Sequence, residues 1–363
     1  MKIILYYISF MFDKILYFAI SIIIIVTIYL IIKELKSIQY IKDYKNIPDT
    51  NWPFLNFIDE KGKKVNMLCL RGPLQNQKEI DTFIKYKKQG FKFIGCSSYL
   101  SYPLKCNNPT QENGVCASTP TFGGQRMDTL VDGWLHCFRD ENIILNKNKS
   151  LISESDFMDS IKYLKNYNLE RKKHRYDFIC YCPSDPKYCD KGWHYHNKNW
   201  PLAKKTIEYL CNKMNMKGIL VGRENCPIDI KNKESLERAD WLRYDKFLDS
   251  IADSKFMIIS SQEDASPRTI GESLLVDTPI LVNENILGGW KYVTEETGTF
   301  YNENNIEEKI NEIMINIEKK RYSPRYHYLQ NYGMYNSGKK LRDFIVNIDP
   351  SLSHHQYIRF AVS

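Results

Sequence analysis

The chain has 363 residues, 43% of them hydrophobic and 26% charged, with 51 basic against 43 acidic side chains for a formal net charge of +8. That balance belongs to one large or two ordinary globular domains and excludes a disordered, collagen-like or low-complexity chain. The densest basic cluster, Arg171-Lys172-Lys173-His174-Arg175, has no aromatic-basic motif beside it. It reads as a solvated helix end or linker, which argues against nucleic acid as a partner.

The first element is the apolar run Ile15 to Ile32, 18 residues without a charge between Lys14 and Lys33. At about 1.5 Å per residue it spans roughly 27 Å, close to a bilayer core. It is long for a signal peptide and has no small-x-small cleavage site after it, so residues 1–33 read as an uncleaved single-pass anchor. Lys2 and Lys14 precede the span, while Lys33, Lys36, Lys42 and Lys45 follow it. The positive-inside bias then favours a cytosolic C-terminal part.

Residues 34–64, polar and interrupted by Pro48 and Pro53, read as a stalk. An N-terminal α/β domain is expected over 65–165, with a strand at Met67 to Leu70, a helix at Gln77 to Lys88 and a strand at Phe91 to Ser97. Tyr99 to Gln125 is rich in Pro, Asn, Ser, Thr and Gly, and a loop of that length inside a domain is often functional. Apolar DTLVDGWLHCF follows at Asp128 to Phe138, and Ser153-Glu154-Ser155-Asp156 carries a capping pattern for a helix to about Asn166.

A second domain is expected over 166–345, with residues 346–363 as a tail. Its strands are Asp177 to Pro183, Gly218 to Gly222, Lys255 to Ser260 and Pro279 to Asn283. They alternate with helices at Leu202 to Met214, Trp241 to Ala252 and Thr269 to Leu275. Short apolar strands alternating with helices specify a doubly wound parallel sheet. Of the ten cysteines, Cys69, Cys96, Cys180 and Cys182 fall in these apolar runs and read as free core thiols. Cys182, Cys189, His194 and His196 cluster as C-x6-C-x4-H-x-H, a spacing unlike the close ligand pairs of a zinc site. The sequon at Asn148-Lys149-Ser150 does not decide the compartment.

Between SKFMII and SLLVDTPILV lies the polar stretch Ser260 to Glu272, SSQEDASPRTIGE. In a parallel sheet this strand-to-helix turn is where ligands bind, and the following helix start offers free N–H groups to anions and hydroxyls. A diphosphate there would need cations. Arg223, Lys191, Lys198 and Arg268 all follow strand ends, and position alone does not separate Lys191 from Lys198.

Asp264 and Glu272 are separated by seven residues, with Pro267 among them and an apolar strand after them. DASPRTIGE followed by SLLVDTPILV resembles the acid-x7-acid motif of the retaining GT-B glycosyltransferases of family 4, and Ser-Pro-Arg-x-x-x-Glu is similar to exostosin-type enzymes. Other segments share the resemblance: DFICYCP before Lys191-Gly192-Trp193, GILVGRENC, ETGTF at Glu296 to Phe300, and a final helix in Lys339 to Ile345 that would cross back to the first domain. It covers residues 175–345.

The resemblance implies a GT-B-like α/β fold of two Rossmann-like domains, the first shortened, behind a single transmembrane helix. It implies transfer, with retention, from a UDP- or GDP-sugar to a glycan, lipid or protein acceptor, with no cofactor and no metal demanded. Glu272 would bind the ribose. Asp264 with neighbouring groups, including Ser266, or Glu263 after a one-residue shift, would hold the hexose. In the first domain Gly123, Gly124 and Arg126 would form the acceptor-side loop, and His136 would be a catalytic residue with Asp264; Arg268, a cation the family pattern does not carry, is assigned to catalysis from its place after the strand end. The rival reading is a carbohydrate- or nucleotide-binding membrane protein without turnover.

Overall fold

The computed structural model describes residues 17–34, 47–97, 102–103, 126–161, 164, 167, 174–185 and 188–361. It divides into two units, Met1–Asp49 and Thr50–Ser363. The first unit holds helix α1 (Tyr17–Glu34), whose mean hydropathy is 2.1, and by length and composition it can cross a membrane. Its serine and threonine hydroxyls are satisfied within the helix, Ser21 Oγ donating to Tyr17 O and Thr27 Oγ1 to Ile23 O.

The second unit contains two six-stranded sheets. The first runs β12-β1-β2-β3-β4-β5, made of β1 (Phe54–Asp59), β2 (Lys64–Leu70), β3 (Phe93–Cys96), β4 (Gly133–His136), β5 (Lys149–Leu151) and β12 (Ile358–Phe360). β2 to β5 are parallel, while β1 is antiparallel to both β2 and β12. Two boundaries expected from the sequence are corrected here. Residues 54–59 of the expected stalk form β1, because Phe54 and Phe57 are buried and Phe57 packs its ring 5.4 Å from Phe360. The expected tail supplies β12, so the chain's last described strand completes the first domain's sheet.

Helix α2 (Gln77–Lys88) links β2 to β3, and its N-cap Asn76 accepts the Glu79 N–H. Short helix α3 (Met127–Leu130) leads into β4. After β5 the expected helix is a 3-10 segment, Glu154–Ser160, irregular at Phe157. Its capping acid acts as anticipated, Asp156 Oδ2 accepting the Ser153 N–H at 3.0 Å.

The second sheet has the order β11-β10-β9-β6-β7-β8, all parallel: β6 (Tyr176–Tyr181), β7 (Gly218–Val221), β8 (Leu236–Ala239), β9 (Ser254–Ile259), β10 (Ile280–Asn283) and β11 (Gly298–Tyr301). Between the strands run α4 (Trp193–Asn197), α5 (Trp200–Lys213), α6 (Tyr244–Ala252), α7 (Arg268–Leu275) and α8 (Ile306–Glu318). Successive residues of β9 point to opposite faces. Met257 and Ile259 pack with Leu248, Ile270 and Leu274, while Phe256 and Ile258 pack with Leu210, Ile310 and Ile313. Both faces are thus covered by helices, and each buried Leu or Ile contributes roughly 1.5–3 kcal/mol.

The chain returns to the first domain through α9 (Pro324–Asn331) and α10 (Gly333–Ile348). Lys92 Nζ donates to Ile348 O at 2.8 Å, and Gly133 leaves room for the Ile348 and Phe344 side chains. This is the crossing helix anticipated from the sequence, longer at both ends than expected.

Candidate functional site

The second sheet reverses its strand order between β6 and β9. The crevice outside the carboxyl ends of such a pair is the usual ligand site of a doubly wound sheet. The loop after β6 is built around Asp185. Its Oδ1 accepts the His194 N–H at 2.9 Å, and its Oδ2 accepts the Tyr195 N–H at 2.9 Å. An acid thereby caps the first turn of α4. Gly192 is required at the turn: its φ is +113°, and a Cβ there would lie 2.5 Å from Asp185 Cγ.

Asp185 also accepts from Arg223 Nη2 at 2.8 Å. Arg223 is fully buried, donates to Cys182 Sγ and to Cys189 O, and lies over the Trp200 ring at 5.2 Å. A disulfide joins Cys189 to Cys226, tying the loop after β6 to the loop after β7. The expectation that Arg223 meets a diphosphate is therefore corrected. Positive φ at Gly222 and Arg223 turns the chain, and the guanidinium becomes a buried strut between two loops. Cys189 is spent in the disulfide, while Cys182 is a buried free thiol whose Sγ accepts from Arg223 Nε.

Downstream of the same loop, Lys198 at the end of α4 forms an ion pair with Asp264, from the turn after β9. Both side chains are largely buried, 16% and 17% exposed. Burial alone would pull the Lys198 ammonium down, but the Asp264 carboxylate and its hydrogen bond outweigh burial and hold the pKa above the ordinary lysine value. The turn carrying Asp264 is pinned on both sides. Gln262 N–H donates to Asn197 O, Ser260 Oγ to Lys198 O, and Gly288 N–H to Asp264 O. Gly288 permits that approach, since a Cβ would sit 2.0 Å from Ala265 O.

Helix α7 starts from Pro267, which fixes the entry and supplies no side-chain cap. No side chain caps the start of α7, although the Ile270 N–H donates to Pro267 O at 3.2 Å. One turn on, Glu272 is 5% exposed and accepts from Tyr244 OH at 3.2 Å. Burial raises its pKa, and the charges of Arg268 and Lys198 together with Tyr244 oppose that rise. Arg268 is exposed and acts on two acids at once, Glu272 of its own helix and Glu154 of the first domain.

The first domain meets this crevice with the carboxyl ends of its parallel strands. Arg71, just after β2, pairs with Glu154, donating from Nη2 to Oε2 at 2.7 Å. Burial raises the Glu154 pKa, against the attraction of Arg71 and Arg268. Ser155 N–H and Oγ both meet Ser266 Oγ at 3.0 Å, and Ser155 Oγ meets Tyr292 OH at 2.9 Å. Lys291 Nζ pairs with Asp156 Oδ2 at 2.8 Å, and Trp290 Nε1 donates to Cys137 O at 2.7 Å.

His136, the last residue of β4, is 2% exposed, and neither ring nitrogen has a hydrogen-bond partner among the described residues. Burial lowers its pKa to about 4; Glu141, 4.0 Å away, opposes this and Lys291 reinforces it. Its imidazole is neutral at pH 7.

Five of the residues singled out from the sequence, Glu263, Asp264, Ser266, Arg268 and Glu272, share the turn and helix after β9, and a sixth, Lys198, reaches Asp264 there from the end of α4. Lys191 is separated from Lys198: it is exposed and stacks over the Tyr188 ring at 4.0 Å. Glu263 is held through its backbone, with Asn197 Nδ2 donating to its carbonyl at 3.2 Å. Ser266 spends its hydroxyl on Ser155 of the other domain, a correction to its expected role toward a ligand. Arg126 is also corrected. It forks onto buried Asp128 at 3.0 and 2.8 Å and donates to Ile143 O, closing the α3 region rather than facing outward. Gly123 and Gly124 lie outside the described residues. The sequence reading passed over Arg71, Glu154 and Lys291. Their signal is position, Arg71 and Glu154 at carboxyl ends of first-domain strands and Lys291 beyond β10.

No protein-family model matches the chain, and no curated protein sequence matches it. Solved structures do share its fold. The crystal structure of TarM superimposes with a TM-score of 0.51 at 12% identity, over 77% of this chain and 54% of that one. Sucrose-phosphate synthase from Thermosynechococcus elongatus gives 0.49 at 10% identity, over 74% and 71%. Anabaena HepE in complex with UDP-glucose gives 0.49 at 10%, over 77% and 78%. The present chain spans about half the length of TarM. At this identity the likeness shows the fold, GT-B-like with two Rossmann-like domains.

Proposed function

We propose that the chain transfers a sugar from a UDP- or GDP-sugar to a hydroxyl of a glycan, lipid-linked or protein acceptor. One observation carries the reading: Lys198, Asp264, Glu272 and an uncapped helix start meet at the strand-order reversal, opposite the strand ends of the first domain. A nucleoside diphosphate needs a cation and N–H donors for its phosphates and a carboxylate for its ribose, and those groups are all present. Lys198 and the start of α7 would hold the diphosphate, Glu272 the ribose hydroxyls, and Asp264 the sugar. Arg268 would add charge stabilisation as the diphosphate departs.

In the reaction the bond from the anomeric carbon to the diphosphate oxygen breaks and a bond to the acceptor oxygen forms. The acceptor's proton passes to the departing phosphate on the same face, so configuration is retained. Neutral His136 would position the acceptor hydroxyl. The resemblance in the Asp264 to Glu272 stretch supports retention, and α1 supports attachment to a membrane. Which side the second unit faces is drawn two ways: lysines after α1 favour the cytosol, whereas the Cys189–Cys226 disulfide belongs to an oxidising compartment. Protease protection of the second unit in sealed vesicles assigns the side.

The test is release of free nucleoside diphosphate by the full chain in detergent across a panel of UDP- and GDP-sugars with mixed acceptors. Activity is expected with one donor class and lost in Glu272→Ala. Full activity in Glu272→Ala refutes the site. A wild type that binds nucleotide yet releases none from any donor overturns transfer in favour of binding without turnover.

A further inference from the structure

At the edge of the first sheet remote from the crevice, three metal-competent side chains come together from opposite ends of the unit. Asp59 is the last residue of β1, Glu60 follows it in the turn to β2, and His355 precedes β12. One ligand atom from each lies within 4.8 Å of the others. His355 Nδ1 is 3.6 Å from Asp59 Oδ2 and 3.9 Å from Glu60 Oε2. These separations are too long for hydrogen bonds, and they are close to those between ligands around one ion with bond lengths of about 2.0–2.2 Å.

The surroundings hold the three side chains in place. Asp59 Oδ1 accepts the N–H groups of Lys61 and Lys63 at 2.9 and 2.8 Å, so Oδ2 is the oxygen directed to His355. The Gln356 N–H donates to Glu60 Oε2 at 3.2 Å, and the His354 ring packs 4.0 Å from that of His355. Asp59 and His355 are 5% and 4% exposed, while Glu60 borders solvent. The positive charge of Lys61 acts on both Glu60 and His355.

We propose that Asp59, Glu60 and His355 bind one divalent cation of the Zn²⁺ class, with water completing the coordination on the Glu60 side. Imidazole with two carboxylates is a donor set that suits such ions. The site is structural. β1 runs antiparallel to β2, so its carboxyl end lies at the opposite edge from the strand ends that face the crevice, roughly 20 Å away at about 3.3 Å per residue. The ion would staple the β1–β2 turn to the segment that returns as β12. This inference does not depend on the transfer reaction.

The test uses untagged full chain in detergent, stripped with EDTA, dialysed and titrated with ZnCl₂ by calorimetry and by thermal melting. One equivalent is expected to bind and raise the Tm, and His355→Ala and Asp59→Asn should abolish both effects. Glu60→Gln, at the solvent edge, keeps the metal-free Tm and weakens Kd at least about tenfold, since loss of even an outer-shell partner costs about 10–100-fold. A wild type that takes up no zinc, or a Glu60→Gln variant that binds it as wild type does, overturns the site.

Discussion

His136 offers a quantity that can be worked from its surroundings. The unfolded chain takes up an imidazole proton near pH 6.5, whereas the folded protein, with the ring buried, refuses it until about 4. A base with a depressed folded pKa contributes stability that is present above the unfolded value and lost as pH falls. Between pH 7 and pH 5 that loss is about 2 kcal/mol, out of about 3 kcal/mol once both states are protonated. His136→Gln fills a similar volume and does not titrate, so it should remove this part of the acid sensitivity. Urea unfolding of the full chain and the variant at both pH values, with matching m values, gives the comparison. The variant is expected to lose about 2 kcal/mol less than wild type on acidification. Equal losses would show that the imidazole is not held neutral in the folded state, and the reasoning would fail.

Two further substitutions separate struts from ligand groups. Arg223→Lys leaves Asp185 buried with a donor that cannot fork between it, Cys182 and the Cys189 carbonyl, and it should destabilise by about 3–5 kcal/mol in thermal melts; an unchanged Tm would return Arg223 to the list of ligand residues. Lys198→Met keeps the apolar stem and removes the charge; nucleoside diphosphate release should fall by about 10²–10³, and full release would remove Lys198 from the reaction.

What could be read in the sequence follows from how local each feature is. Asp264, Arg268 and Glu272 were legible because a strand, a Pro-led turn and a helix put them in one place whatever the rest of the chain does. Lys198 was legible only as one of two, since Lys191 leaves the same strand, and only Gly192 and the capping carboxylate of Asp185 decide which lysine turns inward. Arg223 misled for the opposite reason. Its place after β7 points outward by rule, but a positive φ of 49° reverses it. Ser266 has a partner, Ser155, 111 residues away, and no local pattern announces that bond. β12 is three residues long and is a strand only because β1 lies beside it.

That last pairing bears on the order in which the molecule is made. Asp59 is aligned with Ile358, roughly 300 positions later in synthesis, and closing so long a loop is slow. The ribosome delivers the whole second sheet before the first can acquire its outer strand. The domain that begins first is therefore finished last, and until then the outer edge of β1 stands open to any other strand in reach.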